Sequence, residues 1–221
     1  MVATMTDYAA EREAMVERQL RRRGISDPEI LSAFRAVPRE AFVSTEYAHL
    51  AYGDHPLPIE AGQTISQPYI VALMIEAAAI NGRDKVLEVG SGSGYAAAVI
   101  SRIAFRVIGI ERQHDLVEAS RERLRRLGYD NVEIVEGDGT KGVPEKAPFD
   151  AILAAASGSH VPKTLVDQLA SGGRLVMPVG QPGWVQKLVK VTKRGDGSLQ
   201  QSDLGDVRFV PLIGEEGWKD A

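Results

Sequence analysis

After Pro68 the chain alternates short apolar segments with amphipathic ones. The apolar segments are rich in β-branched residues, as buried strands are, and comprise residues 85–89, 106–110, 132–136, 149–154 and 174–179. Helical patterns lie between most of them, at residues 95–103, 114–127 and 163–169. Two further strands are predicted at 187–191 and 207–210. Because no helix separates these two, we expect them to form an antiparallel hairpin.

The first part of the chain has a different pattern. Residues 8–23 repeat apolar positions at helical spacing up to Gly24, and Ser26-Asp27-Pro28 is typical of the start of a second short helix. From residue 38 to residue 68 the chain is rich in Pro and Gly and shows little periodicity. This segment is therefore predicted to be irregular, and long ordered irregular segments are often functional.

Strands that alternate with helices predict the α/β class. We expect a doubly wound, Rossmann-like, mostly parallel sheet with an antiparallel C-terminal hairpin and an N-terminal helical extension. We divide the chain into a helical, substrate-capping segment at residues 1–80 and a ligand-binding α/β core at residues 81–221. At this length the two are expected to pack as one compact unit.

Charge and composition exclude several classes of function. The chain has 26 Lys and Arg against 30 Asp and Glu, a net charge of -4, so it lacks the positive field that attracts nucleic acid or an anionic membrane. It has no cysteine, and its four histidines, His49, His55, His114 and His160, do not have the spacing of metal ligands. No apolar run reaches membrane-spanning length, and the N-terminus shows no targeting pattern. We therefore expect a cytoplasmic monomer with no metal, nucleic-acid or membrane partner.

The strand at residues 85–89 runs into the turn Gly90-Ser91-Gly92-Ser93-Gly94 and then into a helix. A turn without Cβ atoms lets the backbone approach a ligand closely, and the following helix offers free N–H groups and a positive dipole end. In dinucleotide-binding folds the third glycine falls three residues after the second. Here it falls two after it, and Tyr95 takes the place of the expected glycine. The spacing therefore indicates a nucleoside ligand without a pyrophosphate.

Acidic residues stand at the ends of the first three strands. Glu88 directly precedes the turn, where a carboxylate suits a ligand with ammonium and sulfonium charges, although it could instead only cap the next helix. Glu111 ends the second strand, 23 positions later, where nucleoside-binding folds place the acid that binds ribose. Gly137-Asp138-Gly139 follows the third strand. By itself such a tripeptide is more often a simple turn, but its register with the other acids favours a hydrogen bond from an adenine amine to Asp138.

These features resemble the class I S-adenosylmethionine-dependent methyltransferases. The run Gly62-Gln63-Thr64-Ile65-Ser66-Gln67-Pro68 is similar to the signature of the protein-L-isoaspartate O-methyltransferase family. Segments on either side are also family-like, namely Val37-Pro38-Arg39, Pro148-Phe149-Asp150-Ala151-Ile152 and Arg208-Phe209-Val210-Pro211-Leu212. The resemblance implies that the core binds S-adenosyl-L-methionine and releases S-adenosyl-L-homocysteine.

The resemblance also implies a set of site residues. Ser66 would be the catalytic residue and would bind the substrate together with Val210 and Pro211. The cofactor would be bound by Gln63, Thr64, Ile65, Glu88, Gly90, Ser91, Gly92, Ser93, Gly94, Glu111, Arg112, Asp138 and Gly139. The sequence departs from the family at residues 156–160, Ala-Ser-Gly-Ser-His, and there we expect the substrate groove to have its own shape.

The implied reaction is methyl transfer to the free α-carboxylate of L-isoaspartyl and D-aspartyl residues in age-damaged proteins and peptides, which starts their repair through a succinimide. This carboxylate is already ionised at neutral pH, so no general base is needed. We predict that Ser66 orients it by a hydrogen bond while the protein aligns oxygen, methyl carbon and sulfur and excludes water. A serine nucleophile is disfavoured, because no Ser-His-acid pattern accompanies Ser66.

Three other functions compete with this one. The chain could methylate a small-molecule carboxylate, or it could bind altered aspartates without catalysis and hold the cofactor as a structural ligand. An NAD-dependent oxidoreductase is disfavoured by the glycine spacing and by Glu88. Methyl transfer confined to isoaspartyl peptides would separate the first alternative from our prediction, and multiple turnover would exclude the second.

Overall fold

The computed structural model describes residues 7–219. Its main feature is a seven-stranded sheet, which follows a helical N-terminal segment and a separate two-stranded hairpin. Alternate residues of the central strands enter two hydrophobic clusters, one on each face of the sheet, so that Val86 belongs to one and Leu87 to the other. Within residues 7–219, no helix is long and apolar enough to cross a membrane.

The two N-terminal helices are confirmed. Helix α1, Tyr8–Met15, continues through a π-helical turn and a 3₁₀ turn to Gly24, which takes a φ of 101° and ends the helix. Helix α2, Pro28–Ala36, begins after Asp27, whose carboxylate accepts a hydrogen bond from the backbone N–H of Glu29 at 2.8 Å.

The segment from residue 38 to residue 68 contains little regular structure, as predicted. Apart from short 3₁₀ turns, it contains the antiparallel pair β1, Leu57–Pro58, and β2, Thr64–Ile65. We call residues 57–65 the capping hairpin. Helix α3, Pro68–Ala77, follows it and is not among the helices that the pattern predicts, because its sequence is apolar on nearly all sides and lacks a helical period.

The predicted succession of strands and helices in the core is confirmed. The strands are β3 Lys85–Val89, β4 Arg106–Glu111, β5 Val132–Glu136, β6 Phe149–Ala154, β7 Leu169–Val179, β8 Gln186–Lys193 and β9 Leu199–Val207. The helices are α4 Tyr95–Ser101, α5 His114–Arg126 and α6 Lys163–Asp167.

The sheet has the strand order β5-β4-β3-β6-β7-β8-β9. The first five of these pair in parallel, and β8 and β9 add antiparallel strands at one edge. The predicted C-terminal hairpin is therefore confirmed, but its second strand is not at residues 207–210. That prediction is wrong. The second strand of the hairpin is β9, which is mostly polar because it is an exposed edge strand. It ends at Val207, where the predicted apolar strand begins.

The N-terminal segment packs against the start of α4. The rings of Phe34 and Phe42 meet the ring of Tyr95 at centroid distances of 6.3 and 5.5 Å, both nearly edge to face. The buried Arg39 guanidinium lies over the same ring at 4.8 Å, and its Nε donates to the carbonyl of Ala51. Tyr95 is the residue directly after the glycine turn, so the helical segment contacts the predicted ligand site.

Candidate active site

The glycine turn lies at the carboxyl ends of the central strands, where ligands of doubly wound sheets bind. Gly90, Gly92 and Gly94 have φ angles of 81°, 50° and 85°, which residues with a Cβ atom rarely adopt. The backbone N–H of Gly90 donates to the carbonyl of Ile110 at 2.8 Å and fixes the turn against the end of β4. Gly94 is the residue before helix α4, so the turn leads directly into a helix N-terminus.

Glu88 is buried beside this turn. Its Oε2 atom and the neighbouring Ser91 Oγ atom have no hydrogen-bond partner among the described residues. Burial, together with the nearby Glu111 carboxylate, raises the pKa of Glu88 to about 8. A buried acid with an unsatisfied oxygen at the wall of a cavity favours a cationic ligand group.

Glu111 is also buried, and its carboxylate organises the turn. Its Oε2 accepts a hydrogen bond from the backbone N–H of Gly92 at 3.0 Å, and its Oε1 accepts from the N–H groups of Arg112 and Gln113 at 2.7 and 3.0 Å. One carboxylate therefore joins the end of β4, the glycine turn and the start of α5. It also lines the cavity that the ligand would occupy.

The Asp138 carboxylate is hydrogen-bonded within the chain. Its carboxylate accepts hydrogen bonds from the backbone N–H and hydroxyl of Thr140 and from the backbone N–H of Glu215. Burial raises its pKa, but these hydrogen bonds outweigh burial and lower the net pKa below its usual value. The side chain does not line the cavity, whereas the next residue, Gly139, does. Asp138 thus holds the C-terminal turn in place, and its hydrogen bond to an adenine amine stays a prediction.

The capping hairpin and the residue after it form the opposite wall. Gln63, Thr64, Ile65 and Ser66 all line the cavity. The next side chain, Gln67, donates from Nε2 to the carboxylate of Asp54 at 2.7 Å, and Asp54 in turn accepts from Arg23 at 2.9 Å. The segment that carries Ser66 is in this way tied to the end of the first helical region.

Val210 and Pro211 complete the rim. The Val210 carbonyl accepts from the backbone N–H of Ser157 at 2.8 Å, and the Leu212 N–H donates to the Ser157 carbonyl at 2.8 Å. Behind this segment the buried Gln186 side chain accepts from the Phe209 N–H at 2.7 Å and donates to the Phe209 carbonyl at 3.2 Å. Sequence patterns gave no sign of Gln186, because its importance arises from a contact between residues 23 positions apart.

These walls enclose a cavity of about 360 Å³, a volume in the range of small-molecule sites. It brings together every predicted site residue except Gly94 and Asp138. The predictions missed Tyr95, which is buried at the start of α4, and a group of mostly apolar lining residues: Gly62, Val71, Ala96, Ile110, Gln113, Ala155, Ala156, Leu212 and Ile213.

The lining matches the chemistry of a cationic nucleoside. One side offers two buried acidic side chains, Glu88 and Glu111, and apolar residues supply a surface for a flat ring. The orphaned Oε2 of Glu88 marks where a positive group would be stabilised. Within residues 7–219 no group of three or more His, Asp or Glu side chains is arranged to hold a metal ion.

Comparison with known proteins identifies the family. A family model described as protein-L-isoaspartate(D-aspartate) O-methyltransferase matches residues 10–217. A Pelobacter propionicus protein named protein-L-isoaspartate O-methyltransferase 2 is 56% identical over 207 residues, which cover 94% of this chain and 92% of that protein. A Rhodopseudomonas palustris protein named protein-L-isoaspartate O-methyltransferase 1 is 54% identical over 213 residues, covering 96% of this chain and 87% of that protein.

Two solved structures of proteins named for the same activity are also similar to this chain. One named protein-L-isoaspartate O-methyltransferase has a TM-score of 0.84 at 33% identity, covering 93% of this chain and 66% of that one. A candidate protein-L-isoaspartate O-methyltransferase from Plasmodium falciparum, solved in complex with S-adenosyl-L-homocysteine, has a TM-score of 0.79 at 31% identity, with 91% and 98% covered. The resemblance seen in the sequence is therefore confirmed, and this chain belongs to the protein-L-isoaspartate(D-aspartate) O-methyltransferase family.

Proposed function

We propose that this chain transfers a methyl group from S-adenosyl-L-methionine to the free α-carboxylate of L-isoaspartyl and D-aspartyl residues in damaged proteins, and so starts their repair through a succinimide. Family membership supports the reaction. The observation that supports it at the level of the site is the two-sided cavity, with the glycine turn and two buried acids on one wall and the segment that carries Ser66 on the other.

The acidic wall is suited to the cofactor. Glu88 would face its positively charged methionine portion, where the unpartnered Oε2 lies, and Glu111 would face the ribose. Glycines at positions 90 and 92 let the backbone approach the ligand, and Gly139, with Leu212 and Ile213, forms the remaining wall for the adenine ring. When bound, S-adenosyl-L-methionine supplies an electrophilic methyl group on a sulfonium.

The opposite wall is suited to the acceptor and to the methyl end of the cofactor, which Gln63, Thr64 and Ile65 would contact. Ser66 is only partly buried and lines the cavity, which supports a role for its hydroxyl as donor to an incoming carboxylate. The protein needs no base for this step, because an α-carboxylate is ionised at neutral pH. The contribution of the chain is to hold the carboxylate in line and to exclude water from it.

Val210 and Pro211 would contact the peptide backbone around the damaged residue. Both lie in an extended segment at the rim, next to Ser157 of the stretch that departs from the family pattern. Main-chain contacts of this kind accept many side chains, as a repair enzyme acting on unrelated proteins requires.

Residues 1–80 would act as the substrate-capping segment and residues 81–221 as the cofactor-binding core. We propose that the protein works as a monomer. We propose that the protein works in the cytoplasm, without metal, nucleic acid or membrane, and the net charge of -4 supports the lack of an anionic polymer as partner.

The function is tested with methyl-labelled S-adenosyl-L-methionine and two peptides that differ only in an aspartyl or isoaspartyl linkage. We expect multiple turnovers with the isoaspartyl peptide and none with its aspartyl twin. A small carboxylic acid without a peptide serves as the third substrate. If the small acid were methylated as fast as the isoaspartyl peptide, the chain would be a metabolite methyltransferase instead.

A further inference from the structure

Helix α5 packs directly beneath the glycine turn. A Cβ atom added to Gly94 would lie 3.2 Å from Leu124 Cδ1 and 3.3 Å from Ser120 Cβ. The turn therefore rests on this helix with no room to spare. Arg123 lies on the same helix, next to Leu124, and its side chain is only 11% exposed.

The Arg123 guanidinium bridges two segments that are distant in sequence. Its Nη1 donates to the carbonyl of Ser93, inside the glycine turn, at 2.8 Å. Its Nη2 donates to Glu60 Oε1 at 3.2 Å, and Glu60 lies at the tip of the capping hairpin. One side chain thus joins the wall proposed to hold the cofactor to the hairpin that leads into Ser66.

Backbone hydrogen bonds close the tip of the capping hairpin, so a shift of Glu60 would shift the rest of the tip as well. The N–H of Ile59 donates to the Gln63 carbonyl at 2.8 Å, and the N–H of Gln63 donates to the Glu60 carbonyl at 3.2 Å. The tip also rests on the turn, because a Cβ atom at Gly92 would lie 3.2 Å from Ile59 Cδ1. Movement of the turn would therefore move the strand of the hairpin that carries Thr64 and Ile65.

We propose that Arg123 is a positioning residue that couples occupancy of the cofactor wall to the placement of the peptide-binding wall. This inference rests on the proposed function. With Arg123 in place, a ligand that orders the glycine turn also orders the capping hairpin, so cofactor and peptide strengthen each other's binding. The coupling is reciprocal, since the peptide must tighten the cofactor by the same factor.

Arginine is suited to this task for a geometric reason. A guanidinium presents several N–H donors in a fixed plane and can hold the Ser93 carbonyl and the Glu60 carboxylate at once. A lysine ammonium keeps the charge but is a compact point charge on a flexible stem. Arg123→Lys is therefore expected to keep one contact and lose the bridge.

The test measures the dissociation constant of S-adenosyl-L-homocysteine by calorimetry, with and without a saturating isoaspartyl peptide. In the unaltered protein we expect the peptide to tighten binding by about fivefold or more, the lower end of typical allosteric coupling. In Arg123→Gln, Arg123→Lys and Glu60→Gln that factor should fall to less than about twofold, whatever the change in the affinity measured without peptide. Arg121→Gln is the matched control, because Arg121 lies on the same helix but contacts Glu118 and Ile134.

The outcomes are distinguishable. The proposal is overturned if the unaltered protein shows no coupling, or if Arg123→Lys and Glu60→Gln keep the full factor. Glu60 is 44% exposed, so Glu60→Gln is expected to fold even if a change at Arg123 does not. Methylation of the isoaspartyl peptide by the unaltered protein is measured in parallel. Its absence would refute the proposed function itself, whereas methylation without coupling would refute only the role of Arg123.

Discussion

The Glu111 carboxylate accepts a hydrogen bond from the backbone N–H of Gly92 at 3.0 Å. An acid at the end of one strand thereby holds the glycine turn that follows the neighbouring strand. The same carboxylate accepts two further N–H groups at the start of α5, so it is both part of the ligand wall and a support for the turn.

Replacing Glu111 with Gln should weaken cofactor binding strongly. The amide retains one acceptor oxygen but places N–H₂ donors opposite backbone donors, and each unsatisfied N–H costs about 1–3 kcal/mol. We expect S-adenosyl-L-homocysteine to bind about tenfold or more weakly in calorimetry, with a lower melting temperature. Glu118→Gln, on the outer surface of α5, is the control. An unchanged dissociation constant for Glu111→Gln would show that this acid does not bind the ligand.

Cofactor binding should release a proton from Glu88. In the protein without ligand, burial raises the pKa of this carboxyl to about 8, so it is protonated at neutral pH. A cationic ligand beside it favours the ionised form, so affinity should rise with pH up to about 8 and then level off. Calorimetry at neutral pH in two buffers of different ionisation enthalpy measures the proton released. Glu88→Gln should release nearly one proton fewer than the unaltered protein, and equal release from both would contradict the assignment.

Replacing Ser66 should lower the turnover number without weakening cofactor binding much. Loss of one hydrogen bond to a charged group costs roughly 1.5–3 kcal/mol, so Ser66→Ala should lower kcat by about 10- to 100-fold. The dissociation constant of S-adenosyl-L-homocysteine should change by less than about threefold. Ser66→Thr keeps the hydroxyl and should retain more activity than Ser66→Ala. If Ser66→Ala weakened only cofactor binding, Ser66 would be a cofactor-binding residue and not the residue that orients the acceptor.

Gln186 should control peptide binding from behind the substrate rim. Its buried amide makes hydrogen bonds in both directions to the backbone of Phe209 and donates to the Gln181 carbonyl. Gln186→Leu leaves these groups unpaired, so we expect KM for the isoaspartyl peptide to rise by about tenfold while cofactor affinity stays within about twofold. Gln181→Ala, which keeps the backbone carbonyl, is the control. An unchanged peptide KM in Gln186→Leu would show that the rim does not depend on this amide.

Much of the fold follows from local sequence, and the exceptions have physical causes. Strands β3, β5 and β6 have the predicted bounds, because their apolar runs are bounded by turns and charges. Strand β7 begins at Leu169, five residues before the predicted start at residue 174. The sequence hides its first part because a glycine pair interrupts the apolar pattern there, where the pairing with β6 is also irregular. Strand β9 carries no apolar signal, since it is held by pairing with β8 rather than by burial.

The site was predictable where its chemistry is local. The glycine turn, Glu88 and Glu111 are neighbours of strand ends, so their meeting at one edge of a parallel sheet follows from the strand order alone. The support that Asp138 gives to the C-terminal turn was not predictable in the same way, because the Glu215 N–H that donates to its carboxylate lies 77 positions later. Arg123 and Gln186 likewise act through contacts that only the folded chain creates.

The acceptor that we propose for this protein is the α-carboxylate of an isoaspartyl residue. It is tested most directly by an isoaspartyl peptide in which that carboxylate alone is replaced by a carboxamide, assayed with methyl-labelled S-adenosyl-L-methionine beside the unmodified peptide. We expect label in the unmodified peptide and none in the carboxamide peptide. Equal labelling of both peptides would contradict it.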